Sequence, residues 1–413
     1  MNITDIFVDY LYGISISSIR EEAIEQARLC LLDYQGVARA GAKMLEKQGT
    51  AFLTSVFKQG GDVSVIGFQQ KTTLHNAAFL NAMSAHITEL DDGHRAGQIH
   101  LGASIISALL PMAEVEGLSG EALLRGIVVG YEAAIRLAMA MNPAHKLRGY
   151  HTSGTCGTIG VAVAIATARQ FSREQMKVAV SAAATSASGL LEMQEDESEL
   201  KPYNLANAAV GGITAAYCAL GGFKGPDDAI GGKRGLLSVM TENPRIQLLT
   251  EFGEPYFQIE KIYRKLYAAC RHAHSAIEAA ITLKNQYHID PSPVTRIVIE
   301  TYGMAIKGHD HKVIKGIQSA KMSVPFSVAL ALKAGSAGLR DYNESNLADE
   351  EILRLTNVVE MIEDLEISSW LPGKRAARVT IVSADNSFTT CVEYPKGEPE
   401  NPIAATEIIE KNR

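Results

Sequence analysis

Cysteine is scarce in this sequence, and no two cysteines lie close together. The 413 residues include five, Cys30, Cys156, Cys218, Cys270 and Cys391, an odd number without any CxxC pair. Disulfide frameworks and zinc knuckles need closely spaced, usually even sets of cysteines. The pattern therefore excludes both as the organising element and predicts a protein of the reducing cytoplasm.

Excess positive charge and long apolar runs are also missing. The formal net charge is −7, and no lysine or arginine run creates a local basic field. The longest apolar runs are interrupted by Gly, Glu or Arg well short of a bilayer span, and the opening MNITDIFVDYLYG has no basic leader. We therefore expect no nucleic-acid partner, no membrane helix and no export signal.

Helical periodicity dominates residues 1–260, which we predict to be an all-helical domain. Apolar residues recur there at three- and four-residue spacing, as in SIREEAIEQARLCLLDYQGVARAG and GEALLRGIVVGYEAAIRLAMAM. The spacing of Ser172 and Gln175 predicts a capping box, and Gly221 with Gly222 predicts a helix end. Abundant Ala, Gly and Ser predict closely packed helices.

Strand-like patterns begin after about residue 260 and predict an α+β domain over residues 261–397. PVTRIVIETYG is β-branched, and RAARVTIVSADNS and FTTCVEYPKG form a predicted hairpin through the turn DNS. SVPFSVALALKAG and LADEEILRLTNVVEMIEDLE read as helices between the strands. The tail, 398–413, begins one more helix, which we expect to pack back on the first domain.

Histidines and acids cluster in HITELDDGHRAGQIH, residues 86–100. The preceding helical pattern would place His86 and Glu89 on one helix face. His100 and His151 each stand just before a predicted helix. Helix N-termini present free N–H groups and partial positive charge, so imidazoles beside them form a receptor for carboxylates. This placement predicts an anionic substrate.

Two further groups carry positive charge. Lys201 precedes Pro202 at a predicted helix start, and IYRKLYAACRHAHSAIEAA brings Lys265, Arg271, His272 and His274 together. Each group also has an ordinary structural interpretation, as a helix cap, a solvated loop, a surface lysine or an amphipathic helix face.

A divalent-metal site around His86 is the chemical alternative. It lacks the HExxH spacing, and His86, His94 and His100 fall on different faces or in a loop, so we predict no metal ligands. Cys156 and Cys270 are most simply small core residues, with a nucleophilic role as the alternative.

The ordered set of motifs is more specific than any one of them. HxxxxDD at residue 86, GxHxxGTxG at 149, KPYxxANAA at 201 and CRxxH at 270 occur in one order, and together they resemble the MmgE/PrpD family over roughly residues 10–400. That family includes 2-methylcitrate dehydratases, cis-aconitate decarboxylases and iminodisuccinate epimerases. The resemblance implies a large all-helical domain with a smaller α+β lid, a homodimer, and a site that requires neither metal nor cofactor.

The resemblance also implies which residues act on a small di- or tricarboxylate. His151, His100, Asp91, Asp92 and Lys201 are the implied catalytic set, and Lys265, Arg271, His274 and His86 the implied substrate-binding set. Such reactions make a carbanion next to a carboxylate, which needs a positioned acid/base and cations. Histidine can be the acid or base near neutral pH, whereas lysine and arginine supply the cations.

Some positions depart from the pattern and keep the reaction open. Gly93 and Glu89 stand where relatives carry Thr and Asp, and Phe326 replaces a tyrosine, which disfavours decarboxylation. We therefore expect a lyase of the 2-methylcitrate dehydratase kind, with two alternatives. The first is an epimerase that exchanges an α-proton, and the second is a catalytically degenerate dimer that binds carboxylates.

Overall fold

The computed structural model describes residues 2–56, 60–194, 198–384 and 386–411, and the fold is mainly α. The chain forms two compact units. The first comprises residues 1–195, 199–263 and 405–413, and the second comprises residues 196–198 and 264–404. Within the described ranges, no helix combines the length and the apolar character needed to cross a membrane.

The first unit is built almost wholly from helices. They are Ile3–Gly13, Glu21–Met44, Glu46–Ala51, Leu74–Ile87, Gly102–Glu116, Gly120–Met141, Ala144–Leu147, Thr152–Ala168, Arg173–Ser186, Lys201–Leu220, Leu236–Met240 and Ala405–Lys411. Two short antiparallel pairs accompany them, Val63–Ser64 with Lys71–Thr72 and Gly93–His94 with Ile262–Tyr263. Ser172 and Gln175 form the predicted capping box of the helix Arg173–Ser186. The helix Lys201–Leu220 ends with Gly221 as its C-cap, as predicted.

Small residues set the helix spacing in this unit. A Cβ atom at Gly130 would lie 2.6 Å from Cβ of Ala164 and 2.8 Å from the Gly160 carbonyl oxygen. A Cβ atom at Gly160 would lie 2.8 Å from Cβ of Ala134. These distances are shorter than van der Waals contact, so the helices Gly120–Met141 and Thr152–Ala168 can approach closely only because both positions are glycine. The predicted close packing is confirmed.

The second unit is α+β. Its helices are His274–Tyr287, Gly303–Ile306, Ile317–Met322, Val324–Ala334, Glu344–Leu347, Glu350–Asn357 and Leu365–Ser369. Its four-stranded sheet has the order Val359–Glu363, Val294–Thr301, Ala377–Ser383, Asn386–Val392. The first pair is parallel, and the other two pairs are antiparallel.

Two local predictions for this unit need correction. Residues 347–366 do not form one helix: the helix is Glu350–Asn357, and Val359–Glu363 is a strand paired with Val294–Thr301. The hairpin is confirmed, but its register pairs Ser383 with Asn386, which places Asn386 and Ser387 of the predicted DNS turn in the strand. Asp385 of that turn lies outside the described residues.

Candidate active site

The first unit holds six of the predicted site residues at or near helix ends. His86 lies in the last turn of Leu74–Ile87, and His151 is the N-cap of Thr152–Ala168. Lys201 is the first residue of Lys201–Leu220, and His100 lies two residues before Gly102–Glu116. Asp91 and Asp92 belong to the connecting loop. Bundle packing therefore gathers groups that are far apart in the sequence.

The acidic loop turns sharply after the helix that carries His86. That helix ends at Ile87, and Glu89 adopts a left-handed conformation with φ 56°. The prediction that His86 and Glu89 share a helix face was therefore wrong. A left-handed backbone is uncommon for a residue with a side chain and must be stabilised by its surroundings. It turns Glu89 away from the helical path.

A buried hydrogen bond joins His86 and Asp91, whose Nδ1 and Oδ2 atoms are 2.7 Å apart. The His100 Nδ1 atom lies 3.5 Å from the same carboxylate oxygen. The rings of His86 and His100 have centroids 5.0 Å apart, and those of His86 and His151 are 6.4 Å apart. Three imidazoles and one carboxylate thus form a continuous cluster, in which His86, Asp91 and His151 are buried and His100 is partly exposed.

Hydrogen bonding fixes the tautomer of His100. Its Nδ1 lies 2.8 Å from the backbone carbonyl oxygen of Asp92. A carbonyl oxygen can only accept, so Nδ1 carries the proton and Nε2 is the basic nitrogen of the neutral ring. His100 is therefore oriented as a proton acceptor, and the Asp91 carboxylate beside Nδ1 would stabilise the imidazolium that results.

His151 has the opposite tautomer. The Asn204 side-chain amide donates to His151 Nδ1 over 3.2 Å, so the neutral ring carries its proton on Nε2. Burial lowers the pKa of His151 well below its ordinary value; His86, Lys201 and Lys146 lower it further, and Glu89 opposes them. His151 is therefore a neutral hydrogen-bond donor at physiological pH.

The Asp92 carboxylate has different hydrogen-bond partners from the Asp91 carboxylate. Its Oδ1 accepts the backbone N–H of Gly102 at 2.9 Å, and its Oδ2 accepts the Tyr131 hydroxyl at 2.6 Å. These bonds hold Asp92 against the start of a helix, where a carboxylate is favoured. Asp92 thereby anchors the loop and presents its carbonyl to His100, whereas Asp91 contacts the imidazoles.

Two lysine side chains bind the acidic loop, one at Glu89 and one at Leu90. The Lys201 ammonium forms an ion pair with the carboxylate of Glu89, and the Glu89 side chain is 3% exposed. Lys411, in the helix Ala405–Lys411, donates to the Leu90 carbonyl at 3.1 Å and pairs with Asp33 at 2.6 Å. The predicted cation Lys201 is thus paired with the acidic loop, and its charge also lowers the pKa of His151.

The remaining predicted residues lie in the second unit. Lys265, Arg271 and His274 are all buried there. The Arg271 guanidinium pairs with the Glu398 carboxylate, and His274 Nε2 lies 3.3 Å from the Ala269 carbonyl oxygen. A substrate carboxylate bound by Arg271 would therefore have to share the guanidinium with Glu398.

Sequence reasoning assigned no role to Asn204, Tyr131 or Lys411. Asn204 follows Lys201 by three residues on one helix, so the KPYN spacing could have indicated it. Tyr131 lies inside an apolar helix, and Lys411 is near the other end of the sequence. No local pattern connects either of them to the acidic loop.

One metal-ligand set exists within this cluster. His86, Asp91 and His100 offer one ligand atom each, all within 4.8 Å of one another. Zinc bond lengths of 2.0–2.1 Å imply about 3.3 Å between nitrogen or oxygen ligands. The 2.7 Å separation of His86 and Asp91 is shorter and is typical of a shared proton. The arrangement therefore fits acid/base chemistry better than metal ligation.

Comparison with known proteins gives matches along nearly the whole chain. Residues 5–249 match the MmgE/PrpD N-terminal domain, and residues 267–413 match the MmgE/PrpD C-terminal domain. A cis-aconitate decarboxylase-like protein, oryM, of Aspergillus oryzae is 26% identical, with 100% of this chain and 90% of that protein covered.

Two cis-aconitate decarboxylases give similar identities. The enzyme of Aspergillus terreus is 25% identical over 97% of this chain and 86% of its own. The enzyme of Homo sapiens is 25% identical over 54% of this chain and 47% of its own. With both of the family's domains present in order, the chain belongs to the MmgE/PrpD family.

Proposed function

We propose that this protein is a lyase acting on a small di- or tricarboxylate, with loss of water from a hydroxy acid of the 2-methylcitrate type as its leading reaction. The observation that carries the proposal is the opposed tautomers of His100 and His151. One cluster of side chains thus offers a basic nitrogen on the partly exposed His100 and an N–H donor on the buried His151. Membership of a family whose relatives are named cis-aconitate decarboxylases supports a carboxylate lyase.

Proton removal begins the proposed reaction. His100 Nε2 takes a proton from the carbon next to a substrate carboxylate, and the C–H electron pair moves into that carboxylate. The imidazolium forms beside Asp91, whose carboxylate stabilises it. His151 donates its Nε2 hydrogen bond to the substrate oxygen that gains negative charge. A neutral imidazole can fill this role because its Nε2–H donates a hydrogen bond to the developing negative charge.

Loss of hydroxide completes the proposed reaction. The electron pair returns to form the carbon–carbon double bond as the neighbouring C–O bond breaks. The leaving hydroxide takes a proton from the Lys201 ammonium and departs as water, and the His100 proton returns to Lys201 through solvent. Lys265, Arg271 and His274 remain predicted substrate-binding residues in this proposal.

Decarboxylation of cis-aconitate is the second candidate, and the names of the relatives favour it. In that reaction the electron pair of the broken C–C bond would receive a proton. Phe326, at the position where we expect a tyrosine in decarboxylases, is fully buried and supplies no hydroxyl. We therefore place dehydration first.

Product analysis distinguishes the reactions. The purified protein would be incubated in D₂O with 2-methylcitrate, citrate, cis-aconitate and iminodisuccinate, and products followed by proton NMR. Loss of water from a hydroxy acid supports the proposal, whereas itaconate from cis-aconitate would establish decarboxylation instead. Deuterium entry with inversion and no other change would establish epimerisation, and binding without turnover would indicate a degenerate relative.

A further inference from the structure

A second cluster of titratable side chains lies wholly within the second unit. Cys270 is the N-cap of the turn Arg271–Ala273, which contains His272 and leads into the helix His274–Tyr287. His309 follows the short helix Gly303–Ile306. One sulfur or nitrogen atom from each of Cys270, His272 and His309 lies within 4.8 Å of the other two. The proposed lyase chemistry uses none of these three side chains.

Neighbouring groups orient both imidazoles. His309 Nδ1 lies 3.1 Å from the Met322 carbonyl oxygen, so Nδ1 carries the proton and Nε2 holds the lone pair. His272 Nδ1 lies 2.7 Å from the hydroxyl of the buried Tyr302. A hydrogen bond to the second nitrogen, fixing tautomer and ring orientation, is what metal-binding histidines almost always have.

The spacing of the donor atoms fits a tetrahedral ion. Zinc bonds of about 2.3 Å to sulfur and 2.0–2.1 Å to nitrogen place ligand atoms roughly 3.3–3.6 Å apart. Cys270 Sγ and His309 Nε2 are 3.8 Å apart, and the ring centroids of His272 and His309 are 5.1 Å apart. His272 and His309 are half-buried, so rotation of their side chains can shorten these distances.

We propose that Cys270, His272 and His309 form a binding site for a divalent ion of the zinc type. A thiolate and two imidazoles select borderline-soft ions such as Zn²⁺ over Mg²⁺ or Ca²⁺, which prefer oxygen. Three protein ligands leave the fourth position for water or a carboxylate oxygen. The motif search did not identify this site because metal motifs require closely spaced ligands. His309 is distant from Cys270 and His272 in the sequence, and only the fold brings it near them.

Cobalt substitution tests the site without reference to turnover. The full-length protein would be stripped with a chelator, titrated with Co²⁺ and followed by absorption, with Zn²⁺ as competitor. We expect about one Co²⁺ per chain, with a tetrahedral visible band and a thiolate-to-cobalt charge-transfer band, both displaced by Zn²⁺. Cys270→Ser should abolish the charge-transfer band and weaken binding by more than roughly tenfold.

Matched variants control for folding and for adventitious binding. Cys391→Ser, at an exposed cysteine, and His311→Ala, near His309 in sequence, should bind Co²⁺ as the parent does. His309→Ala should weaken binding like Cys270→Ser, and circular dichroism without metal would establish that each variant is folded. Absence of a thiolate band from the parent protein, or an equal band in folded Cys270→Ser, would overturn the proposal.

Discussion

Removing the Lys201 ammonium tests whether the ion pair with Glu89 serves the reaction or only the fold. In Lys201→Met the Glu89 carboxylate, 3% exposed, loses the cation that the structure places against it. The variant also lacks the ammonium that we propose to act on the substrate and to protonate the leaving hydroxide. Loss of a buried charge contact of this kind is worth on the order of 2–4 kcal/mol, which corresponds to a decrease of roughly 30- to 900-fold in kcat/KM.

A double variant separates the two roles. Glu89→Gln combined with Lys201→Met removes both charges, so it should recover much of the free energy of unfolding lost by Lys201→Met alone. It should not recover activity if the ammonium acts on substrate. The assays are urea unfolding and steady-state kinetics on the substrate identified by NMR. Wild-type kcat/KM in folded Lys201→Met, or recovered activity in the double variant, would refute the catalytic role.

Three other predictions concern His151 and the loop that carries Asp91 and Asp92. The pKa of His151 is lowered in the folded protein, so the unfolded chain binds this proton more readily; its contribution to stability is therefore present above about pH 6.5 and is lost as pH falls toward the folded pKa. In His151→Gln the free energy of unfolding should depend less on pH below pH 6.5 than in the parent. An unchanged pH dependence would contradict this. Tyr131→Phe, which removes a donor to Asp92, should lower the free energy of unfolding by about 1–3 kcal/mol in urea titrations, and no loss would show that this bond is not needed. Lys411→Met removes the donor to Leu90 and should lower kcat several-fold, whereas the exposed neighbour Glu410→Gln should leave kcat unchanged; equal effects would exclude a specific role for Lys411.

Much of the fold could be predicted because helical periodicity is local. The long helices, the capping box at Ser172 and the helix end at Gly221 follow from residues close in sequence. The strand Val359–Glu363 was missed because its partner is Val294–Thr301, and pairing between distant segments overrides local helical preference. Glu89 was misplaced because its left-handed turn depends on tertiary contacts.

The candidate site was predictable in its composition but not in its roles. Helix starts indicated His100 and His151, and the family resemblance added Asp91 and Lys201. Which nitrogen of each imidazole carries the proton depends on the Asp92 carbonyl and the Asn204 amide, and only the folded chain identifies these partners. No sequence pattern distinguishes the anchoring Asp92 from Asp91, since the two are adjacent and chemically alike.

The most direct test of the central claim is the rate at which a carbon-bound substrate hydrogen exchanges with D₂O, compared between the parent protein and His100→Gln. A positioned general base contributes roughly 10²- to 10⁴-fold. We predict that the parent exchanges the hydrogen next to the carboxylate, and that folded His100→Gln does so at least about a hundredfold more slowly. Exchange at the parent rate in the folded variant would contradict the assignment of His100 as the base.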